Sequence, residues 1–237
     1  MKLHTVTVKM LVVSSMLFSM MPGLSAAKGV SLDATRIIYP QNEKSVSVTV
    51  KNSDPQVTYL TRAFITDEQN KVNKLFDVTP PVFKVTPGAK QEIRIFGKNN
   101  QLPTDRETMF YFHATMISGQ NGQVEGDALN IGYDHVLKLF YRPKNLPMTS
   151  EQAQEKLRFK VEGNTLTAYN DSPYYINLAQ ISVNNQLVNM SMEKKNTTIS
   201  PFSSLNYPIS QNMKKGNLTW RVITDLGGTN EFKTQLQ

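Results

Sequence analysis

Few residues in this chain have the chemistry of an active site. Beyond the first 27 residues the only histidines are His113 and His135, and neither has a neighbour at metal-ligand spacing or in an HExxH pattern. Cysteine is absent, which removes thiol nucleophiles and Cys-type zinc sites. There is no Gly-rich phosphate loop and no GxSxG elbow, and nothing points to a catalytic carboxylate pair. No catalytic residue, metal or cofactor is assigned, and both histidines read as strand residues with ordinary partners. What remains is a charge in an apolar place. Residues 128–143 read ALNIGYDHVLKLFYRP, and Lys138 interrupts a run of Val136, Leu137, Leu139, Phe140 and Tyr141. Just before it, Leu129, Ile131 and Tyr133 alternate with Asn130, Gly132 and Asp134, the pattern of a strand with one apolar face. The lysine needs a partner, and the apolar face needs a cover.

The elements that must position these residues are strands. SVSVTVKN (45–52) puts Val46, Val48 and Val50 on one face, and TYLTRAFIT (58–66) follows the turn signal Ser53-Asp54-Pro55. PPVFKVTPGAKQEIRIF (80–96) and TMFYFHATMI (108–117) come next. Pro87-Gly88 suits a type II turn, and Thr79-Pro80-Pro81 is a candidate for a cis bond, with trans favoured on general grounds. RPKNLPMTS (142–150) has two prolines and no strand pattern, and reads as a linker. Strands resume at 156–164, 165–170, 174–185, 203–210, 218–225 and 231–236. Residues 151–156 could form one helical turn at most. Many short strands on both sides of one Pro-rich joint predict an all-β chain of two β-sandwiches.

The first 27 residues have the form of a secretory signal: Lys2 and Lys9, an apolar stretch from Met10 to Met21, then Pro22-Gly23 and Ser25-Ala26-Ala27. The apolar stretch is short of the about 20 residues that span a bilayer. Without cysteines the exported chain must be held by its cores alone. The formal charge of +7 is scattered, with pairs only at Lys194-Lys195 and Lys214-Lys215, so no nucleic-acid footprint is read. Trp220 reads as core, and the N-x-S/T matches at Asn189, Asn196 and Asn217 carry no weight.

At KLFYRP (138–143) the chain resembles the periplasmic pilus chaperones of the chaperone–usher pathway, the PapD type. GVSLDATRIIYP (29–40), TPPVFKVTPGAKQEIRI (79–95) and LPTDRETMFYF (102–112) resemble further family segments in order. NDSPYYINL (170–178), ISPFSS (199–204) and TDLGG (224–228) match more thinly. The resemblance implies two immunoglobulin-like β-sandwich domains at an angle with a cleft between them, an architecture for which such chaperones are a known example. The expected division is a signal peptide over 1–27, an N-terminal domain over 28–145 and a C-terminal domain over 146–237.

The resemblance also implies roles. Arg36 and Lys138 would meet in the cleft and clamp the C-terminal carboxylate of a pilus subunit, which relieves their mutual repulsion and lost hydration. Leu129, Ile131 and Tyr133 would enter the groove of a subunit that lacks a strand, the mode known as donor-strand complementation. Glu107, Arg142 and Asp225 match a buried cluster that joins the two domains. The partners implied are pilus subunits and an outer-membrane usher, in the periplasm, with self-association of the free protein through its apolar edge. The short polar stretch between Ile117 and Leu129, with no flanking cysteine pair, resembles the short-loop class of the family. The rival readings are a secreted pilus subunit or adhesin and a carbohydrate-binding β-sandwich.

Overall fold

The computed structural model describes residues 29–98, 102–119 and 132–237. The predicted signal segment and the donor residues Leu129 and Ile131 lie outside these residues. The regular structure of the described residues is nearly all strand, with one short helix and one 3-10 turn. The first sandwich is built from β1 (Val30–Leu32), β2 (Arg36–Pro40), β3 (Ser45–Asn52), β4 (Tyr59–Thr66), β5 (Phe76–Thr79), β6 (Val82–Val85), β7 (Lys90–Gly97), β8 (Thr108–Ser118) and β9 (Gly132–Arg142). Its two sheets run β1-β3-β7-β5 and β2-β9-β8-β4-β6. Alternation explains why they pack: Val48, Val50, Ile93 and Ile95 from one sheet meet Phe112, Ala114, Met116 and Leu139 from the other in one buried core.

The second sandwich starts with a helix, α1 (Ser150–Glu155), followed by β10 (Arg158–Glu162), β11 (Thr165–Asn170), β12 (Ile176–Val183), β13 (Gln186–Leu187), β14 (Thr198–Ile199), β15 (Ser203–Pro208), β16 (Gly216–Ile223) and β17 (Thr229–Leu236). Its sheets run β10-β11-β15 and β13-β12-β16-β17, with β14 also beside β12. Its core is separate, centred on Leu166, Ile176, Ile181, Ile199, Tyr207 and Leu218.

Gly88 has a positive φ of 72°, as the Pro-Gly turn requires, and the Thr79–Pro80 bond is cis. Helix α1 is longer than the single turn expected. Thr149 and Gln152 form a reciprocal capping box: the Thr149 hydroxyl accepts from the Gln152 N–H and the Gln152 side chain accepts from the Thr149 N–H. Its inner side is fixed by Trp220, whose indole N–H donates to the Gln154 carbonyl at 3.1 Å.

Candidate functional site

Arg36 and Lys138 sit side by side. β2 runs parallel to β9, and the register pairs Arg36 directly with Lys138. Strand alternation separates Lys138 from its apolar neighbours. Leu139 and Tyr141 enter the core of the first sandwich, whereas Lys138, Phe140 and Arg142 face the second. The Lys138 ammonium donates to Asn177 Oδ1 at 2.8 Å and to Thr198 Oγ1 at 2.5 Å, both across the junction. Arg36 donates through Nη1 to the Ile223 carbonyl at 3.3 Å. Its Nε is buried with no hydrogen-bond partner among the described residues.

Both cations are thus held by neutral oxygens, and no carboxylate touches either among the described residues. Burial pulls Lys138 down to about 8, and Arg36 adds to the shift. Burial also lowers Arg36, with Asp225 opposing. Lys138 has lost water without gaining a counter-charge, and at Arg36 the Asp225 charge offsets the loss only in part. Lys138 lines an opening of about 440 Å³ between the sandwiches, with Tyr111 and Met109 on its own side and Met192, Thr198 and Ser200 on the other. Lys195 and the Glu68 carboxylate also line this opening, whereas Arg36 lies behind Lys138 and does not line it. With two ammonium hydrogens used, the third is left for an anion that enters.

Four residues along the same face of β9, Arg142 is in the opposite condition. Its Nε donates to Glu107 Oε1 at 2.7 Å, and Nη1 and Nη2 donate to the two oxygens of Asp225 at 2.7 and 3.0 Å. Its guanidinium also lies over the Tyr174 ring, 5.1 Å from the centroid. Glu107 is only 3% exposed, and its second oxygen accepts the Tyr175 N–H at 2.8 Å. Burial raises the Glu107 carboxyl, opposed by Arg142 and by that N–H. Burial acts downward on Arg142, but Asp225 and Glu107 hold it above its ordinary value. The three residues named from the sequence therefore meet, with Asp225 contributed by the second sandwich.

Two local devices set the second wall. Buried Asn170 uses its amide to donate to the carbonyls of Tyr174 and Ser200 at 2.7 and 2.9 Å, while its oxygen accepts from Ser172. This ties the start of β12 to the end of β14 and so sets Asn177 beside Thr198. The turn after β16 approaches the first sandwich closely at Gly227. A Cβ there would lie 2.4 Å from Thr35 Oγ1, and φ is +85°, so only glycine lets the turn carry Asp225 to Arg142 and the Ile223 carbonyl to Arg36.

The edge of β9 is half open. β8 pairs with it from Gly132 to Tyr141, but β2 pairs only with Lys138–Arg142. Gly132–Leu137 has no strand on its other side among the described residues. Tyr133 has the same parity as Leu139 and Tyr141, which are 0% and 2% exposed, yet it is 55% exposed. The core-facing row runs past the end of its own core.

The comparisons decide the family. Residues 29–147 match the model described as pili and flagellar-assembly chaperone, PapD N-terminal domain. Residues 152–234 match pili assembly chaperone PapD, C-terminal domain. The chain belongs to the PapD family of pilus-assembly chaperones. It is similar to the probable fimbrial chaperone protein ElfD of Escherichia coli O157:H7, with 34% identity over 84% of this chain and 83% of that protein. It is also similar to the chaperone protein FimC of Escherichia coli K12, with 32% identity over 90% of this chain and 86% of that one. Among solved structures, the periplasmic chaperone SfaE superposes with a TM-score of 0.74 at 31% identity, covering 87% of this chain and 98% of that chain. The SafB chaperone with the Salmonella enterica SafA pilin gives 0.77 at 27%, covering 90% and 98%. The family is one of chaperones, not of enzymes.

The remaining candidates fall into place within this family fold. Trp220 is buried between Phe159 and Phe232. His113 hydrogen-bonds Asp134 and Thr66, and His135 is half-buried on β9. Sequence reading missed Asn177 and Thr198, because a neutral polar pair 21 residues apart carries no spacing signal. It also missed Tyr175, whose hydroxyl donates to Glu68 Oε1 at 3.0 Å across the junction.

Proposed function

We propose that this chain captures pilus subunits in the periplasm by holding their C-terminal carboxylate between Arg36 and Lys138. The observation that carries the reading is the pair of adjacent, desolvated cations whose described partners are all neutral, one of them with an unpartnered N–H. A carboxylate entering there supplies the missing counter-charge and accepts charge-assisted hydrogen bonds. From that anchor the subunit runs along the open edge of Gly132–Leu137, where main-chain hydrogen bonds give affinity and alternate side chains give specificity. Tyr133 enters the subunit groove, as do Leu129 and Ile131 by continuation of the alternation. The Glu107–Arg142–Asp225 cluster fixes the angle between an N-terminal domain over 28–145 and a C-terminal domain over 146–237. The subunit is then passed to an outer-membrane usher. The protein belongs to the short-loop class, and when no subunit is bound the same open edge pairs with a second copy.

The experiment is a pull-down of tagged protein from the periplasm, wild type beside Arg36→Ala and Lys138→Ala, with bound proteins identified by mass. Charge-assisted hydrogen bonds of about 1.5–3 kcal/mol each predict a loss of roughly 10- to 150-fold in affinity per variant. Wild type should retain small β-rich subunits, and both variants, though folded, should lose them. Equal retention by folded variants would overturn the clamp.

A further inference from the structure

A second polar constellation lies on the same β-sheet, away from the cations. Asp134 of β9 accepts from His113 Nδ1 at 2.8 Å and from the Thr115 hydroxyl at 3.1 Å, both on β8. Thr115 is directly opposite Asp134 in the register and His113 is the diagonal neighbour. The other ring nitrogen of His113 meets the Thr66 hydroxyl of β4 at 3.0 Å. The His113 ring stacks on Phe64 at 4.7 Å and 5° between planes, and the Arg62 guanidinium lies over the same Phe64 ring. Side chains thus tie β4, β8 and β9 together at one level.

The chemistry assigns the protons. A carboxylate only accepts, so His113 Nδ1 carries its hydrogen toward Asp134. Exposed ion pairs in sheets contribute little, but the His113 side chain is only 13% exposed, both its nitrogens are used and its ring is stacked. Its position matters more. The network holds the stretch of β9 that has one partner strand and one open edge. Strand addition needs that stretch straight and in register before the incoming strand arrives, because disorder in it subtracts from affinity. A one-residue slip would turn Tyr133 to the wrong face.

We propose that Asp134, held by His113 and Thr115, is a positioning residue for subunit capture. It pins Gly132–Leu137 to β8 from the outer face and so presents Tyr133 from the opposite face in fixed register. The inference rests on the capture reading above.

Hydrogen exchange on the free protein tests the brace without any ligand. Asp134→Ala should speed exchange of the β8-directed amides over Gly132–Leu137 about tenfold, as expected for one lost hydrogen-bond network, and leave the second sandwich unchanged. Asp134→Asn should stay near wild type, because its amide can accept from Thr115 and donate to His113 in the other tautomer. Thr115→Val removes one bond at nearly constant shape and should give a rise of about threefold, a test that survives if the alanine variant folds poorly. The subunit recovered with the wild-type chain should leave Asp134→Ala about tenfold faster and Asp134→Asn at nearly the wild-type rate. Unchanged exchange over Gly132–Leu137, an asparagine variant as weak as alanine, or faster exchange with unchanged release would each overturn the proposal. Arg36→Ala run beside them separates the two ideas. If it releases the same subunit no faster than wild type, the carboxylate clamp fails, and the exchange rates still decide the brace.

Discussion

Lys138 and Arg142 lie four residues apart on one face of one strand, yet their charges are treated in opposite ways. Arg142 is enclosed by two carboxylates and a ring, and each of its three nitrogens donates to a carboxylate oxygen. Lys138 meets an amide oxygen and a hydroxyl, and its neighbour Arg36 meets one carbonyl. Both positions are partly buried, so both bear a desolvation cost. Only at Arg142 is that cost offset within the molecule. A completed charge cluster is what an interdomain joint needs, and an incomplete one is what a receptor for an anion needs. On the proposed reading, the two cations of this strand divide between structure and capture according to where each finds its counter-charge.

The comparison breaks most visibly at the complete end. Glu107→Ala leaves Arg142 with one carboxylate and leaves the Tyr175 N–H without its acceptor. Removing one partner of a buried pair costs about 3–5 kcal/mol. Urea unfolding should show that loss, with poor yield on expression. Unchanged stability would mean that the junction does not depend on the cluster.

At the open end the sign reverses. Lys138→Met removes a desolvated charge, and its two acceptors are not stranded, since the Thr198 hydroxyl already donates to Asn177 Oδ1 at 3.2 Å. The variant should match or exceed wild type in stability at pH 7 while losing subunit. The pH dependence sharpens this. Lys138 titrates at about 8 in the folded protein against 10.5 for an ordinary lysine. Below 8 both folded and unfolded chains hold the proton, and the folded state bears the full cost. Between about 8 and 10.5 the unfolded chain holds more protons, so stability from this residue rises with pH. The difference in unfolding free energy between wild type and Lys138→Met should therefore shrink from pH 7 to pH 10. Subunit binding runs the other way: a bound carboxylate favours the charged lysine, so affinity should fall above pH 8, by at most about tenfold per unit. A constant difference across that range would show that Lys138 is not a desolvated cation.

Much of this was legible from residue types. Period-two alternation placed 45–52 and 165–170 at the strand limits observed for β3 and β11, because one buried face enforces it. Strand β5 carried too little alternation over four residues to be read. The Thr149-x-x-Gln152 signature was present in the sequence, and the six-residue helix it caps was read as one turn at most. The meeting of Glu107, Arg142 and Asp225 was available only through family resemblance, since Arg142 and Asp225 are 83 residues apart. Contacts of that separation leave no local trace. The same holds for the His113–Asp134 pair, whose members each look like ordinary strand residues until β8 and β9 are set in register.

The smallest expected effect tests specificity at the open edge. Tyr133 is a phenol in a row that otherwise continues into an aliphatic and aromatic core, and in the free protein more than half of it is in water. Tyr133→Phe should thus leave the free protein as stable as wild type. In the complex, burial removes that water, and a buried hydroxyl requires a partner. A groove with a polar atom at that depth would make wild type tighter than Phe by one net hydrogen bond of about 0.5–1.5 kcal/mol, roughly 2- to 12-fold in Kd. A purely apolar pocket would reverse the order, with Phe and Leu both tighter, because the phenol would then arrive with an unanswered O–H. Kd values for Tyr, Phe and Leu at this one position therefore read out the chemistry of the partner's groove. They do so independently of the carboxylate clamp, which all three variants leave intact.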